Sequence, residues 1–281
     1  MRVESPAKLN LSLMVNPPRS DGYHPLESLV QTIDWCDTLG LDGAEDGRDE
    51  MTIFGIDLDP EDNLVVRSLA ALRTVVEVPP LSVRLEKTIP MEAGLGGGSS
   101  NAAATLLGAS QGRPVDRETL EVLALGLGSD VPLFLTGGTL QISGVGEIIE
   151  PLEPLAGFAL AVVVPDFGLV TADVYRQWDL MEGPEGETLA DDHVPPPLRD
   201  GMPLRNDLLP AALALEPEFG DFMADLRSVW GTPVSMTGSG SACFGYFPTV
   251  DEAADAAHAV AHLCREVRGV ALRERGVEVV S

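Results

Sequence analysis

The residues best suited to chemistry lie in a glycine-rich run, where four of the five residues at 94–98 are glycines and two serines follow. Glycine allows positive φ angles and close approach to a ligand, so successive N–H groups can converge on one anion. The positive end of a following helix would add to this attraction. We therefore expect a phosphate-binding loop. The alternative is a flexible turn between a strand and a helix.

This run differs from two common phosphate-binding motifs. It lacks the Gly-Lys-Ser/Thr ending of a Walker A loop, and Ser99 stands where a dinucleotide fingerprint has its third glycine. A second glycine motif, residues 236–242 (MTGSGSA), lies far downstream between an extended segment and a strand. It could line a ligand site or form an ordinary turn, and the local sequence favours neither.

Lysine is rare in this chain, which contains only Lys8 and Lys87. Lys8 lies in a segment that alternates like a strand. The alternation predicts that Lys8 and Asn10 share one face, while Leu9 and Leu11 share the other. A lysine retained against such depletion is a candidate functional residue, although an exposed lysine beside a polar asparagine would give the same pattern.

Asp130 and the turn that contains Tyr23 and His24 supply further candidate groups. Pro132 biases Val131 towards extended geometry, so we expect Asp130 at a fixed corner of the chain. The alternative is an aspartate that only caps a turn. Tyr23 and His24 could stack on and hydrogen-bond a base, or they could merely close a hairpin.

Strand-like and helix-like patterns alternate along the chain, which predicts a mixed α and β protein. The predicted strands are 9–15, 30–35, 81–85, 160–164, 242–247 and 269–280. Three predicted helices begin after the caps Asp62-Asn63, Asp116 and Thr249, and the third continues to about Arg265. A further helix is predicted over 102–107. Residues 182–199 are rich in glycine, proline and acidic residues, which predicts a surface loop.

The charge balance excludes several classes of function. Eighteen basic residues against 44 acidic ones give a formal net charge of −26. This argues against broad nucleic-acid binding and against attraction to anionic membranes. Three scattered cysteines do not form a disulfide framework, and no apolar run is long enough for a membrane helix. We expect a cytoplasmic protein, monomeric or homodimeric, whose partner is a small molecule.

Three motifs, taken in order, carry a family resemblance. Residues 6–11 (PAKLNL), 94–100 (GLGGGSS) and 236–242 resemble the three motifs of the GHMP small-molecule kinases. The segments that further support this resemblance are 21–24 (DGYH), 62–65 (DNLV), 128–132 (GSDVP), 144–147 (GVGE) and 206–208 (NDL). The resemblance covers essentially the whole chain, and the ordered combination is far more specific than any single motif.

The resemblance implies an α+β fold in two domains. An ATP-binding domain like that of ribosomal protein S5 would span residues 1–152. A ferredoxin-like, substrate-side domain would span residues 153–281, although the last strand could return to the first domain. The active site would lie in the cleft between them. The implied cofactors are ATP and Mg²⁺, and the protein ligands of the metal are left unknown.

The resemblance also implies roles for individual residues. The catalytic lysine and aspartate positions fall on Lys8 and Asp130. The nucleotide-binding positions are Pro90, Met91, Glu92, Ala93, Gly94, Leu95, Gly96, Gly97, Gly98, Ser99 and Ser100. The substrate-binding positions are Asn10, Tyr23, His24, Thr171, Tyr175, Gly238 and Ser239. We add the hypothesis that Lys87, just before the glycine run, faces the nucleotide; a surface lysine at a strand end is the alternative.

Within the family, the resemblance is nearest to members that phosphorylate a cytidyl diphospho-sugar alcohol, with the cytosine against Tyr23 and His24. Another GHMP kinase, acting on homoserine, mevalonate or a sugar, remains an alternative, as does a non-catalytic ligand sensor on the same fold. Asn101 stands where the family commonly has aspartate. This departure leaves the metal arrangement open.

Overall fold

The computed structural model describes residues 1–55 and 63–280 and confirms an α+β fold. The strands are β1 (Arg2–Val15), β2 (Leu26–Gly43), β3 (Glu50–Phe54), β4 (Leu81–Glu86), β5 (Thr139–Ser143), β6 (Ile148–Pro151), β7 (Ala159–Val164), β8 (Ser235–Met236), β9 (Cys243–Phe247), β10 (Glu266–Val270) and β11 (Glu278–Val279). The α-helices are α1 (Leu64–Leu72), α2 (Gly97–Ala109), α3 (Arg117–Leu127), α4 (Val131–Thr136), α5 (Thr171–Leu180), α6 (Leu209–Leu215), α7 (Glu218–Trp230) and α8 (Val250–Ala259).

The larger sheet is built around the long antiparallel strands β1 and β2. Its order is β11-β1-β2-β4-β3, and β5 pairs with the first part of β2 and also with β6. Side chains alternate across β1 as predicted. Ala7, Leu9 and Leu11 enter an apolar core, while the Lys8 ammonium donates a hydrogen bond to the side-chain oxygen of Asn10.

The smaller sheet has the order β10-β7-β9-β8 and is antiparallel throughout. On one face of β7, Leu160, Val162 and Val164 belong to the same apolar cluster as Leu9 of β1. The opposite face, which includes Val163, packs against helices of the C-terminal half. Complete burial of such aliphatic side chains contributes about 1.5–3 kcal/mol each. This apolar layer therefore holds β1 beside the smaller sheet.

The helix α2 is buried on nearly all sides, because it packs between the larger sheet and the helices α1, α3 and α4. Its middle consists of small or apolar residues, including the fully buried Ala102 and Leu106. Gly108 permits close packing on the sheet, since a methyl group there would lie 2.5 Å from Leu41 Cδ1. The glycine-rich loop, defined here as residues 90–98, leads directly into this helix.

We propose that two domains divide at residues 152 and 153. The larger sheet takes its strands β1–β6 from residues before this point, and the smaller sheet takes all its strands from residues after it. The last strand, β11, lies in the larger sheet, where Val279 pairs with Val3 and Glu278 pairs with Glu4. In the part of the chain that the structure describes, no helix has both the length and the apolar character needed to cross a membrane.

Two predicted elements end differently in the structure. The helix expected to reach Arg265 stops at Ala259, because the Arg265 N–H donates to Val164 O and starts the pairing of β10 with β7. The strand expected over 269–280 is instead two strands, β10 and β11. The segment that separates them contacts α4, since the N–H groups of Gly276 and Val277 donate hydrogen bonds to carbonyls of that helix.

Other local predictions have mixed outcomes. The surface loop expected over 182–199 is wrong in part, because Val194 and Leu198 are buried in the apolar cluster shared by the two sheets. Asn63 does cap α1, since its side chain accepts a hydrogen bond from Val65 N. The other predicted cap residue, Asp62, lies outside the described residues.

Candidate active site

A groove of about 470 Å³ collects predicted residues from segments far apart in the chain. The predicted site residues that line it are Lys8, Asn10, Tyr23, His24, Gly94, Gly96, Ser99, Asp130, Thr171, Tyr175, Gly238 and Ser239. An adjoining cavity of about 340 Å³ is lined by Leu64, Lys87 and residues 90–99. Gly94, Gly96 and Ser99 line both spaces, so the glycine-rich loop separates them.

Lys8 is a buried cation that lines the groove. Its side chain is only 6% exposed, and its ammonium lies 3.9 Å from the Asp130 carboxylate. Burial lowers the pKa of Lys8 from its usual value, and the negative charge of Asp130 opposes that shift. The Lys8 backbone N–H donates to Leu95 O at 3.0 Å, which ties β1 directly to the glycine-rich loop.

Asp130 lies at the start of the short helix α4, with its side chain partly open to the groove. The expectation that Val131 is extended is wrong, because Val131 is the first residue of this helix. Pro132 is compatible with that position, since the first turn of a helix has N–H groups without intrahelical partners. Asp130 makes no side-chain capping hydrogen bond to this helix, so its carboxylate is available to interact with groups in the groove.

The glycine-rich loop and the second glycine motif lie back to back. Gly94 and Gly96 both have positive φ angles, +74° and +72°. A methyl group on Gly94 would lie 2.6 Å from the carbonyl oxygen of Thr237, and the Ala242 N–H donates to Ala93 O at 3.2 Å. Only glycine permits this backbone contact, which brings the N-terminus of α2 to the edge of the groove.

The second glycine motif is also tied to the polar face of β1. Thr237 accepts a hydrogen bond from Asn10 N at 2.9 Å through its hydroxyl oxygen. The Asn206 amide donates to the carbonyls of Met236 and Gly238, both at 2.8 Å. Thr171, at the start of α5, shares a hydrogen bond of 2.9 Å with Ser239. These contacts hold the motif beside Lys8.

His24 lines the groove and lies among aromatic rings. Its ring centroid lies 5.0 Å from that of Tyr175 and 5.5 Å from that of Trp178, and Nε2 lies 2.8 Å from Asp179 Oδ1. Burial, with a smaller effect of Asp130, raises the pKa of Tyr175 to about 12, so its hydroxyl stays protonated at neutral pH. Tyr23 also lines the groove and is 65% exposed, so its ring is accessible to a ligand.

Two predicted nucleotide contacts lie deeper than expected. The Lys87 ammonium is buried and bonds to Asp37 at 2.6 Å and Asn101 at 3.2 Å, although its side chain also borders the smaller cavity. The Ser100 hydroxyl is fully buried and accepts a hydrogen bond from Ser5. Among the two serines of the motif, therefore, Ser99 alone lines the groove with its side chain.

Four residues of the site have no role assigned from the sequence: Asp37, Asp179, Asn206 and Thr237. Asp179 could have been found, because it lies one helical turn after Tyr175 on α5. Asn206 and Thr237 lie in segments that carried the family resemblance, but no residue role came with them. Asp37 has no local signal, since its partners lie about 50 and 64 residues away along the chain.

Comparison with known proteins indicates the class to which this chain belongs. Residues 63–138 match the family model described as GHMP kinases N terminal domain. The crystal structure of a homoserine kinase from Cytophaga hutchinsonii superposes with a TM-score of 0.70 over 100% of this chain and 97% of the other, at 18% identity. At that identity the likeness shows a shared fold alone. The family match and the shared fold indicate the class of GHMP kinases.

Two nearer relatives narrow the class. A 4-diphosphocytidyl-2-C-methyl-D-erythritol kinase of Acidovorax sp. (strain JS42) is 40% identical over 251 residues, which cover 86% of each chain. The crystal structure of a 4-(cytidine 5'-diphospho)-2C-methyl-D-erythritol kinase superposes with a TM-score of 0.80 and 33% identity, over 96% of this chain and 99% of the other. The chain belongs to the family of 4-diphosphocytidyl-2-C-methyl-D-erythritol kinases.

Proposed function

We propose that the protein transfers the γ-phosphoryl group of ATP to the 2-hydroxyl of 4-diphosphocytidyl-2-C-methyl-D-erythritol, a step of isoprenoid precursor synthesis. The observation that carries the proposal is the pairing of Lys8 with Asp130, 3.9 Å apart, in a groove bordered by the glycine-rich loop. Phosphoryl transfer requires positioned reactants and neutralised charge, and this arrangement supplies both.

Each group of residues has a different role in the transfer. The substrate oxygen forms a bond to the γ-phosphorus, the bond from that phosphorus to the bridging oxygen breaks, and ADP leaves. Asp130 orients the attacking hydroxyl and accepts its proton. The Lys8 ammonium stabilises the negative charge that develops on the attacking oxygen. The N–H groups of the glycine-rich loop, with the positive end of α2, hold the β- and γ-phosphates.

The groove is compatible with Mg²⁺ carried mainly by the nucleotide. The Asp130 carboxylate and the Ser99 hydroxyl line the same space and offer the oxygen donors that this ion prefers. Within residues 1–55 and 63–280, no three acidic, histidine or cysteine side chains cluster closely enough to hold a metal without ATP. When bound, the ion would neutralise part of the phosphate charge.

The part of the groove lined by Tyr23, His24 and Tyr175 would take the cytidine. Tyr23 and Tyr175 offer aromatic faces for stacking, and His24 offers a ring nitrogen for a base edge. The Nε2 atom of His24 is already hydrogen-bonded to Asp179, at 2.8 Å, so the other ring nitrogen would be the one that contacts the base. The adjoining cavity beyond the glycine-rich loop would take the nucleoside part of ATP, since the loop lies between the two spaces.

The test is a coupled assay of ADP release from ATP with a panel of alcohols. We expect turnover with 4-diphosphocytidyl-2-C-methyl-D-erythritol, and none with homoserine or mevalonate. The cytidyl substrate alone should also raise the melting temperature. Turnover with homoserine or mevalonate instead would assign the protein to another GHMP activity. Nucleotide binding without turnover of any alcohol would favour a ligand sensor.

A further inference from the structure

A buried carboxylate lies beneath the glycine-rich loop, and the proposed phosphoryl transfer gives it no direct part. Asp37 of β2 is 0% exposed. Its Oδ1 accepts hydrogen bonds from the backbone N–H groups of Thr88 and Ile89, at 2.7 and 2.8 Å. Its Oδ2 accepts from Lys87 Nζ at 2.6 Å and from Asn101 Nδ2 at 2.9 Å. Four donors thus converge on one carboxylate.

These donors come from both ends of the glycine-rich loop. Thr88 and Ile89 directly precede the loop, whereas Asn101 lies on α2, just after it. One side chain of β2 therefore connects the entrance and the exit of the loop. Since the loop would hold the nucleotide through its backbone N–H groups, the position of Asp37 sets where those groups point.

The same network reaches the strand that carries Lys8. The Asn101 amide also donates to the hydroxyl oxygen of Ser5 at 2.9 Å, and the Ser5 hydroxyl donates to Ser100 at 2.8 Å. Both serines are 0% exposed. Ser5 precedes Lys8 by three residues on β1. The network therefore fixes the position of the glycine-rich loop relative to β1, the strand that carries Lys8.

The charges in the network are balanced. The Lys87 ammonium lies beneath the first turn of α2, since a methyl group on Gly97 would lie 3.1 Å from its nitrogen. Asp37 matches that charge, and Asn101 is neutral, accepting from the ammonium at 3.2 Å. A buried pair of this kind is destabilised strongly when one partner is removed, because the other is left as an uncompensated buried charge.

We propose that Asp37 is a positioning residue for nucleotide binding, and that Lys87 and Asn101 act with it as one unit. In this unit Lys87 supports the loop from below and does not bind phosphate directly. The proposal rests on the proposed function only in taking ATP as the nucleotide.

The decisive experiment is a double-mutant cycle of Asp37→Asn and Lys87→Met, read by calorimetric titration with a non-hydrolysable ATP analogue. We expect each single variant to weaken binding about tenfold, as the loss of hydrogen bonds to a charged group would. The double variant should bind no worse than the weaker single variant, because the unpaired charge is gone. Amide hydrogen exchange of the glycine-rich loop should accelerate in both single variants.

A milder variant guards against failure to fold. Asn101→Ala leaves the ion pair intact and should raise the KM for ATP several-fold, with kcat and the KM for the alcohol substrate little changed. Asp49→Asn is the matched control, because Asp49 also accepts bonds from a cation, Arg73, and from a strand N–H, that of Leu81. It should lower stability and leave the KM for ATP unchanged.

Two results would overturn the inference. If Lys87→Met weakened binding equally in the wild-type and Asp37→Asn backgrounds, Lys87 would be a direct ligand of the nucleotide. If Asp37→Asn or Asn101→Ala bound the analogue as wild type does, with unchanged loop exchange, Asp37 would be a structural residue only. A wild-type protein that failed to bind the analogue would instead refute the proposed function.

Discussion

At the scale of single residues, the candidate site is built around a buried cation, the Lys8 ammonium. Lys8 is 5% exposed, and a buried ammonium is costly unless a negative group compensates it. Asp130 provides that charge at 3.9 Å, too far for a tight ion pair. On the proposed function, this looser contact would let a substrate hydroxyl interact with both groups.

The lowered pKa of Lys8 predicts how rate and stability depend on pH. Lys8 must be charged to stabilise negative charge, so kcat/KM should fall as pH rises through its pKa, at a pH below its ordinary value of 10.5. Between the lowered pKa and 10.5 the unfolded chain binds more protons, so the Lys8 contribution to the free energy of unfolding rises with pH.

The control for this pH dependence is Lys8→Met, whose stability should not show the rise. Asp130→Asn removes the charge that raises the pKa of Lys8, so the alkaline limb of its residual activity should move to lower pH. A limb that stays in place in Asp130→Asn would show that another group titrates. The measurements are pH–rate profiles and urea unfolding at a series of pH values.

The contact between His24 and Asp179 predicts a selective loss of substrate affinity. Asp179→Asn should raise the KM for the cytidyl substrate about tenfold, because a hydrogen bond to a charged group orients the ring. The kcat and the KM for ATP should change little. Asp173→Asn is the control on the same helix, since Asp173 pairs with Arg176 at the surface. Equal effects of both variants on the KM would contradict a role in cytidine binding.

At the scale of elements, two glycine-containing turns and one strand assemble the site. The strand β1 places Lys8 by its alternation, and the sequence predicts that pattern directly. Contact between the glycine-rich loop and the second glycine motif was not predictable from either segment, because it joins Gly94 to Thr237, which lies far along the chain. Their common place in the groove followed only from the family resemblance.

The difference between local and long-range contacts also explains which of the other sequence predictions are correct. The caps Asn63, Asp116 and Thr249 act within three residues, so local sequence predicts the helix starts correctly. The early end of α8 and the role of Asp37 depend on partners far along the chain. Periodicity and capping carry no information about such partners.

The back-to-back glycine contact predicts the effect of one methyl group. Gly94→Ala should lower the free energy of unfolding by about 1–3 kcal/mol and raise the KM for ATP, because it adds a clash to an unfavourable φ. Gly112→Ala is the control, since Gly112 has φ +70° and nothing within 4 Å of the added methyl. That variant should lose only about 1 kcal/mol and keep its KM. Equal KM values for both variants would contradict the contact.

At the scale of the whole molecule, a polyanion must bind polyanionic ligands. The net charge of −26 repels ATP at long range, and Lys8 and Lys87 are both already paired with carboxylates. We therefore expect helix and loop N–H groups to supply more of the local attraction for the phosphates than they would in a basic kinase. Short-range contacts must outweigh the long-range field, which dissolved salt screens.

This charge predicts an unusual dependence on salt. Raising monovalent salt from about 0.01 to about 0.1 M shortens the Debye length from about 30 to about 10 Å, so long-range repulsion weakens. The KM for ATP should fall over this range at constant excess Mg²⁺. An uncharged solute at matched osmolality is the control and should have no such effect. A steady rise of the KM with salt would refute the expectation.

The central claim is that Lys8 and Asp130 act together on one hydroxyl. The most direct measurement is kcat for Lys8→Met, Asp130→Asn and the double variant, under saturating ATP and cytidyl substrate. Each single variant should lose at least about 100-fold, and the double variant should be no slower than the slower single variant. Near-wild-type turnover in either single variant, or losses that multiply in the double variant, would contradict the account.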